Sequence, residues 1–176
     1  AREAAGDYWD SQWNYPLFFY SRRIGREPQG RVPSARYRDV PAGARILGAL
    51  KLTGRITPGW SLGTLHAVTD REMAKLATTS RNWEAEVEPL TYYGVARAQR
   101  ASADQRFGIG LLGTAAVRFF DDPRLRNELN GPAFLGGFDG WAYLDPHRTW
   151  ILSGWTSATH VRGEAAQMGR LQRNST

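Results

Sequence analysis

The feature that most constrains this chain is a set of long segments in which apolar side chains recur at every second position. They cover residues 45–55, 60–69, 89–100, 106–119, 132–144 and 149–162. In the fourth, Phe107, Ile109, Leu111, Ala115 and Val117 fall on one side, and Gly108, Gly110, Thr114 and Arg118 on the other. In the sixth, Ile151, Trp155 and Val161 oppose Gly154, Thr156, His160 and Arg162, although Trp150 and Leu152 blur that face. A period of two over such lengths predicts β-strands. At roughly 10–14 residues they exceed the usual five or six of globular sheets.

The connections sharpen this reading. Residues 56–59 (Ile-Thr-Pro-Gly), 101–105 and 145–148 (Asp-Pro-His-Arg) have the chemistry of tight hairpin turns. Between them lie two longer links, residues 70–88 and 120–131. Turns at one end of a sheet and loops at the other, joined by long strands, are the signature of an outer-membrane-type β-barrel. The expected fold is therefore all-β: an antiparallel up-and-down meander of six long strands, or seven with a short strand over residues 17–24. Eight strands make the smallest closed membrane barrel. The sheet is then a fragment of a larger barrel, a curled sheet covered by its own termini, or a sheet completed by partner chains. Three regions follow: an irregular, arginine-rich N-terminal arm over 1–43 with one short strand, the meander over 44–162, and a helical tail over 163–176.

Composition removes several chemistries. Without cysteine there are no disulfides, iron–sulfur clusters, cysteine-ligated zinc or thiol nucleophiles. No stretch is long and apolar enough for a membrane helix, which leaves membrane strands open. The net charge is +6 with a pI near 10.1. All but two of the 23 basic residues, Lys51 and Lys75, are arginine. Nucleic acid is the generic partner of such a chain, but a GC-rich genome produces the same arginine excess, so this partner is disfavoured. Starting at Ala1 rather than methionine, the chain reads as processed or as a piece of a longer one.

The candidate sites are few. Gly108-Ile-Gly110-Leu-Leu-Gly113 matches the dinucleotide fingerprint, yet a turn precedes it and no helix follows, so these read as strand glycines. His66, His147 and His160 are scattered. Glu84, Glu86 and Glu88 alternate; calcium held together with Asp70 is one reading, and an exposed acidic loop edge the preferred one. Asp121-Asp122-Pro123 predicts a capped helix over residues 123–129. Aromatic residues toward strand ends, Trp60, Tyr92, Tyr93, Phe119, Phe120, Trp141, Tyr143, Trp150 and Trp155, fit either a membrane-interface girdle or a core. No Gly-x-Ser-x-Gly elbow or paired carboxylate stands out. In the arm, Arg22, Arg23, Arg26, Arg31, Arg36 and Arg38 face only Glu27 across residues 22–38, which makes them the candidate partner-binding residues.

Several ordered runs carry a family resemblance: LFFYSRRIGR at 17–26, ILGALKLTGR at 46–55, WSLGTLHAVT at 60–69, VEPLTYY at 87–93 and HVRGEAA at 160–166. The sequence resembles a bacterial envelope family of uncharacterised C-terminal domains. In that family a family-nine-like carbohydrate-binding domain precedes a long, outer-membrane-barrel-like β region. The resemblance implies neither catalytic residues nor a substrate, and the carbohydrate-binding half lies outside this chain. The expectation is a non-enzymatic structural subunit of the bacterial envelope, periplasmic or membrane-associated. It would carry no cofactor or metal and bind other proteins, or lipid, through its sheet and arginine arm. A fragment of an outer-membrane channel or transport protein is the alternative, and a carbohydrate-active envelope protein the weaker one.

Overall fold

The computed structural model describes residues 21–173. Six long strands form one antiparallel sheet: β2 (Ile46–Thr57), β3 (Trp60–Thr69), β6 (Leu90–Ala101), β7 (Phe107–Phe119), β8 (Ala133–Tyr143) and β9 (Ile151–Val161). They are adjacent in that order, and each pairs antiparallel with the next. The sheet is not a closed barrel, since β2 and β9 each pair on one side only among the described residues. The meander expected from the two-residue period is therefore present, with strand ends within two residues of those read from the sequence.

Its turns follow the local chemistry. Gly59 takes a φ of +84° between β2 and β3, and a Cβ there would lie 2.6 Å from the Ala101 carbonyl oxygen. Between β8 and β9, one Asp145 carboxylate accepts the amides of His147, Thr149 and Trp150 at 2.7–3.1 Å. A side chain that satisfies three turn amides holds the reversal without further packing.

The link over residues 70–88 is not a loop. It forms a hairpin of β4 (Glu72–Ala77) and β5 (Asn82–Glu88), and β1 (Tyr37–Asp39) adds to β4 to make a second, three-stranded sheet. The sequence hid this hairpin because its apolar positions are small or sparse. Ala74, Leu76, Ala85 and Val87 alternate inward to make the small core, and Val32, Ala35 and Trp83 pack on it. The arm is thus not irregular throughout, because β1 lies within it.

The strand expected over 17–24 falls partly outside the described residues. Ser21–Arg23 forms a 3-10 turn, closed by the Ile24 amide donating to the Ser21 carbonyl at 3.0 Å. Gly25 follows with φ +77°, and this reversal stops an extended strand from continuing.

Helix α1 (Pro123–Glu128) appears where the sequence placed it. Asp122 caps it by accepting the Arg124 amide at 2.8 Å, and proline occupies the first turn. Helix α2 (Ala165–Arg173) follows β9. Leu125 of α1 is fully buried against Gly30, where any Cβ would also meet the Val87 carbonyl oxygen at 2.7 Å. The arm can cross between β5 and α1 only because residue 30 has no side chain.

All the long connections leave one end of the large sheet. Hence the small sheet, α1 and the arm gather there, at the rim, while the other end carries only the turns. Leu125→Ala should cost about 2–5 kcal/mol, the usual range for a fully buried leucine, read as a lowered midpoint of chemical unfolding. An unchanged midpoint would show that this rim packing does not stabilise the fold.

Candidate functional site

Residues directly opposite in an antiparallel ladder share a face, so the register assigns every side chain of the large sheet. One face carries Leu50 and Leu52 of β2, Leu62 and Val68 of β3, and Tyr92, Ala96 and Ala98 of β6. It continues with Ile109, Leu111 and Val117 of β7, Phe134 and Phe138 of β8, and Leu152 of β9. Its large side chains are in the open: Leu50 is 66% exposed, Leu111 57% and Leu152 63%. Trp60 and Phe107 stand toward the turn end, and Tyr92, Phe119 and Phe134 toward the rim. Charge on this face is confined to its margin, where the Arg100 guanidinium lies 5.5 Å from the centre of the Trp60 ring.

The opposite, polar face is mixed: most of the sheet's charges stand there among Leu65, Val95, Leu112, Leu135 and Trp141. Its polar side chains are Lys51 and Arg55 of β2, Arg97 and Gln99 of β6, Thr114 and Arg118 of β7, Asp139 of β8, and Ser153, Ser157 and Thr159 of β9. Ile151, Trp155 and Val161, the side of the sixth strand read as apolar from the sequence, also lie on it, whereas Leu152 lies on the apolar face. Arg97 and Asp139 make a bidentate ion pair across β7, one arm of it at 2.8 Å. The pair spans Gly110, where a Cβ would come 2.7 Å from the carboxylate. Two residues away the Trp141 ring covers Gly108, with its indole nitrogen 2.8 Å from the position of a Cβ. The glycines of the dinucleotide-like motif are therefore strand glycines, and their missing side chains make room for cross-strand neighbours. Gly113, on the apolar face, has open space above it.

At the rim a polar network joins the arm, the small sheet and the end of β7. The buried Glu86 carboxylate accepts from the Arg71 guanidinium at 3.0 Å and from the Asp122 amide at 2.6 Å. Arg124 donates to the Glu86 and Arg31 carbonyl oxygens, both at 2.6 Å. Glu88, also buried, accepts the Gln29 amide at 2.8 Å. The expected exposed acidic edge is thus corrected: Glu84 is exposed, whereas Glu86 and Glu88 are buried and bound to partners distant in sequence. The glutamates do not act as one set, because a bulge between Glu72 and Met73 and the rim contacts give them different surroundings.

The six arm arginines are distributed rather than gathered into one patch. Arg22 and Arg23 lie exposed in the 3-10 turn. Arg23 and Arg26 line a cavity of about 550 Å³ between the arm and the polar face of β6–β9. Arg31 serves through its backbone, its amide donating to the Glu128 carboxylate at 2.8 Å. Arg36 lies over the Tyr37 ring at 5.6 Å, and Arg38, on the edge strand of the small sheet, pairs with Leu76 of the central strand β4. The histidines stay apart: His66 hydrogen-bonds the Tyr92 hydroxyl at 2.6 Å, His147 lies in the β8–β9 turn, and His160 accepts from Arg162 at 3.3 Å.

The family model described as "Domain of unknown function (DUF5916)" matches residues 13–118. The chain belongs to this family. Within the described residues, the DUF5916 match spans the arm, the small sheet and the large sheet through all but the last residue of β7. No curated protein and no solved structure matches the chain.

Sequence reasoning missed Arg118 as a cavity residue and, separately, the Arg97–Asp139 pair. Their only signal was a charge within a two-residue period, and placing each needed the register. Burial pushes the Glu88 carboxyl above its ordinary range, against the pull of the Gln29 amide. A carboxyl raised in this way stabilises the fold fully only below the ordinary carboxylate pKa, and that contribution is lost as pH rises through its folded value. Relative to Glu88→Gln, the natural chain should therefore lose stability from about pH 4 upward. Parallel denaturation midpoints would test this, and a gap between the two proteins that stays constant with pH would contradict it.

Proposed function

We propose that this DUF5916 chain forms part of the wall of an outer-membrane-type β-barrel in the bacterial envelope, a structural rather than catalytic role. The observation that carries the reading is the large sheet's exposed apolar face, backed by one that holds most of the sheet's charges. Soluble monomers rarely expose contiguous apolar patches larger than a few hundred Å². Here leucine, isoleucine and phenylalanine stand open on four of the six strands, β2, β7, β8 and β9. In a membrane barrel that arrangement is the stable one, because the outward residues meet lipid and the inward ones meet water.

Length supports the same reading. At about 3.4 Å per residue and a tilt near 40°, the 13 residues of β7 rise roughly 30 Å, the depth of the hydrocarbon core. Aromatic residues mark both margins of the apolar band, as interface girdles do. The free sides of β2 and β9 are where further wall would join, since exposed ladder groups cannot remain unpaired within lipid. The resemblance to proteins with a barrel-like region behind a carbohydrate-binding domain points the same way. The arm and the small sheet would then sit at one rim, on the side of the polar face.

A charge test separates the two faces. Leu111→Arg, on the apolar face, should weaken folding of the barrel that contains this sheet into vesicles by about 2–4 kcal/mol, as an arginine near the bilayer midplane does. Ser157→Arg, on the polar face, should have a much smaller effect. Equal effects of the two changes, or stable folding of the natural chain in water without lipid or detergent, would overturn the proposal.

A further inference from the structure

The geometry points to an anion-binding site in the cavity between the arm and the polar face of the large sheet, taking the carboxylate or phosphate group of a small solute. Three arginines from two distant parts of the chain converge there: Arg23 and Arg26 from the arm and Arg118 from the rim end of β7. Tyr93, Thr114 and Thr159 line the same space, and among the described residues no acidic one does. At about 550 Å³ the cavity has the size of a small-molecule site.

The state of Arg118 is the strongest argument. It is half-buried, and one of its terminal nitrogens donates to the Asn130 carbonyl at 3.0 Å. Its Nε is buried and has no hydrogen-bond partner among the described residues. A buried, unmatched donor on a cation is costly, and an oxyanion is the ligand whose geometry a guanidinium fork fits. Arg26 is close enough to Arg118 for the two charges to repel one another. Glu88 lies within electrostatic reach of Arg118 but is a weak counter-ion, because burial disfavours its own charge. An anion between Arg26 and Arg118 would relieve the repulsion and satisfy the free donor together.

This inference needs the fold alone and not the lipid assignment. The test is therefore binding to the folded, detergent-solubilised chain, followed by calorimetry or backbone NMR at low ionic strength. The probes are inorganic phosphate, succinate and mixed micelles containing phosphatidylglycerol. The expected result is saturable one-site binding of phosphate or succinate, weakened tenfold or more by Arg118→Gln and also by Arg26→Ala. Arg100→Gln, at the far end of the sheet, should leave it unchanged. Arg26 is exposed, so its variant keeps the test valid if Arg118→Gln does not fold. Arg118-dependent binding of the lipid micelles alone would also support the site and would identify a headgroup phosphate as its occupant. Absence of arginine-dependent binding for all three probes, in protein that is shown to be folded, would overturn the proposal.

Discussion

Everything in this molecule depends on the antiparallel backbone ladder that runs unbroken from β2 to β9. It fixes which residues stand opposite one another, and so divides the sheet into one apolar face and one that carries most of its charges. A slip of one residue in β2 would send Leu50 and Leu52 to the side of the charges, and Lys51 and Arg55 to the apolar side. The penalty for that slip is what gives the register its precision. The glycines help, since Gly108 and Gly110 leave room for Trp141 and for the Arg97–Asp139 pair on one face only.

The rim solves a different problem. Long connections leave the same end of the sheet, and their backbone groups need partners there. The small sheet supplies some of these and the arginine–glutamate network supplies others. Glu86 is the hinge of that network, since its carboxylate ties Arg71 to the start of α1 while its carbonyl receives Arg124. Burying a carboxylate is unfavourable unless its lone pairs are occupied, and here they are. The arm is thereby held against the sheet, and this brings Arg23 and Arg26 over the polar face.

The long strands were legible because period-two patterning and turn chemistry agree along 60–69, 107–119 and 151–161. The cap at Asp122 was legible for the same reason, as a local signal with a local cause. The β4–β5 hairpin was not, because half of its core residues are alanines and its glutamates look solvent-bound until Arg71 and Gln29 arrive from elsewhere. The arginine cluster misled in another way: six neighbours in sequence became three separate environments. The cavity's decisive member, Arg118, lies more than ninety residues from Arg23 and Arg26 along the chain, and only the pairing of β6, β7 and β8 brings it beneath the arm.

The central claim is that one face of the sheet meets lipid and the other water, and the absence of cysteine makes it directly measurable. Single cysteines would be placed at each position from Gly108 to Arg118 in β7, and the proteins folded into vesicles. Each would then carry a fluorophore read with a lipid-borne and a water-borne quencher. The account predicts strict alternation: positions 109, 111, 113, 115 and 117 quenched from lipid, and 108, 110, 112, 114, 116 and 118 quenched from water. Quenching from water at both phases, or no alternation along the strand, would contradict it.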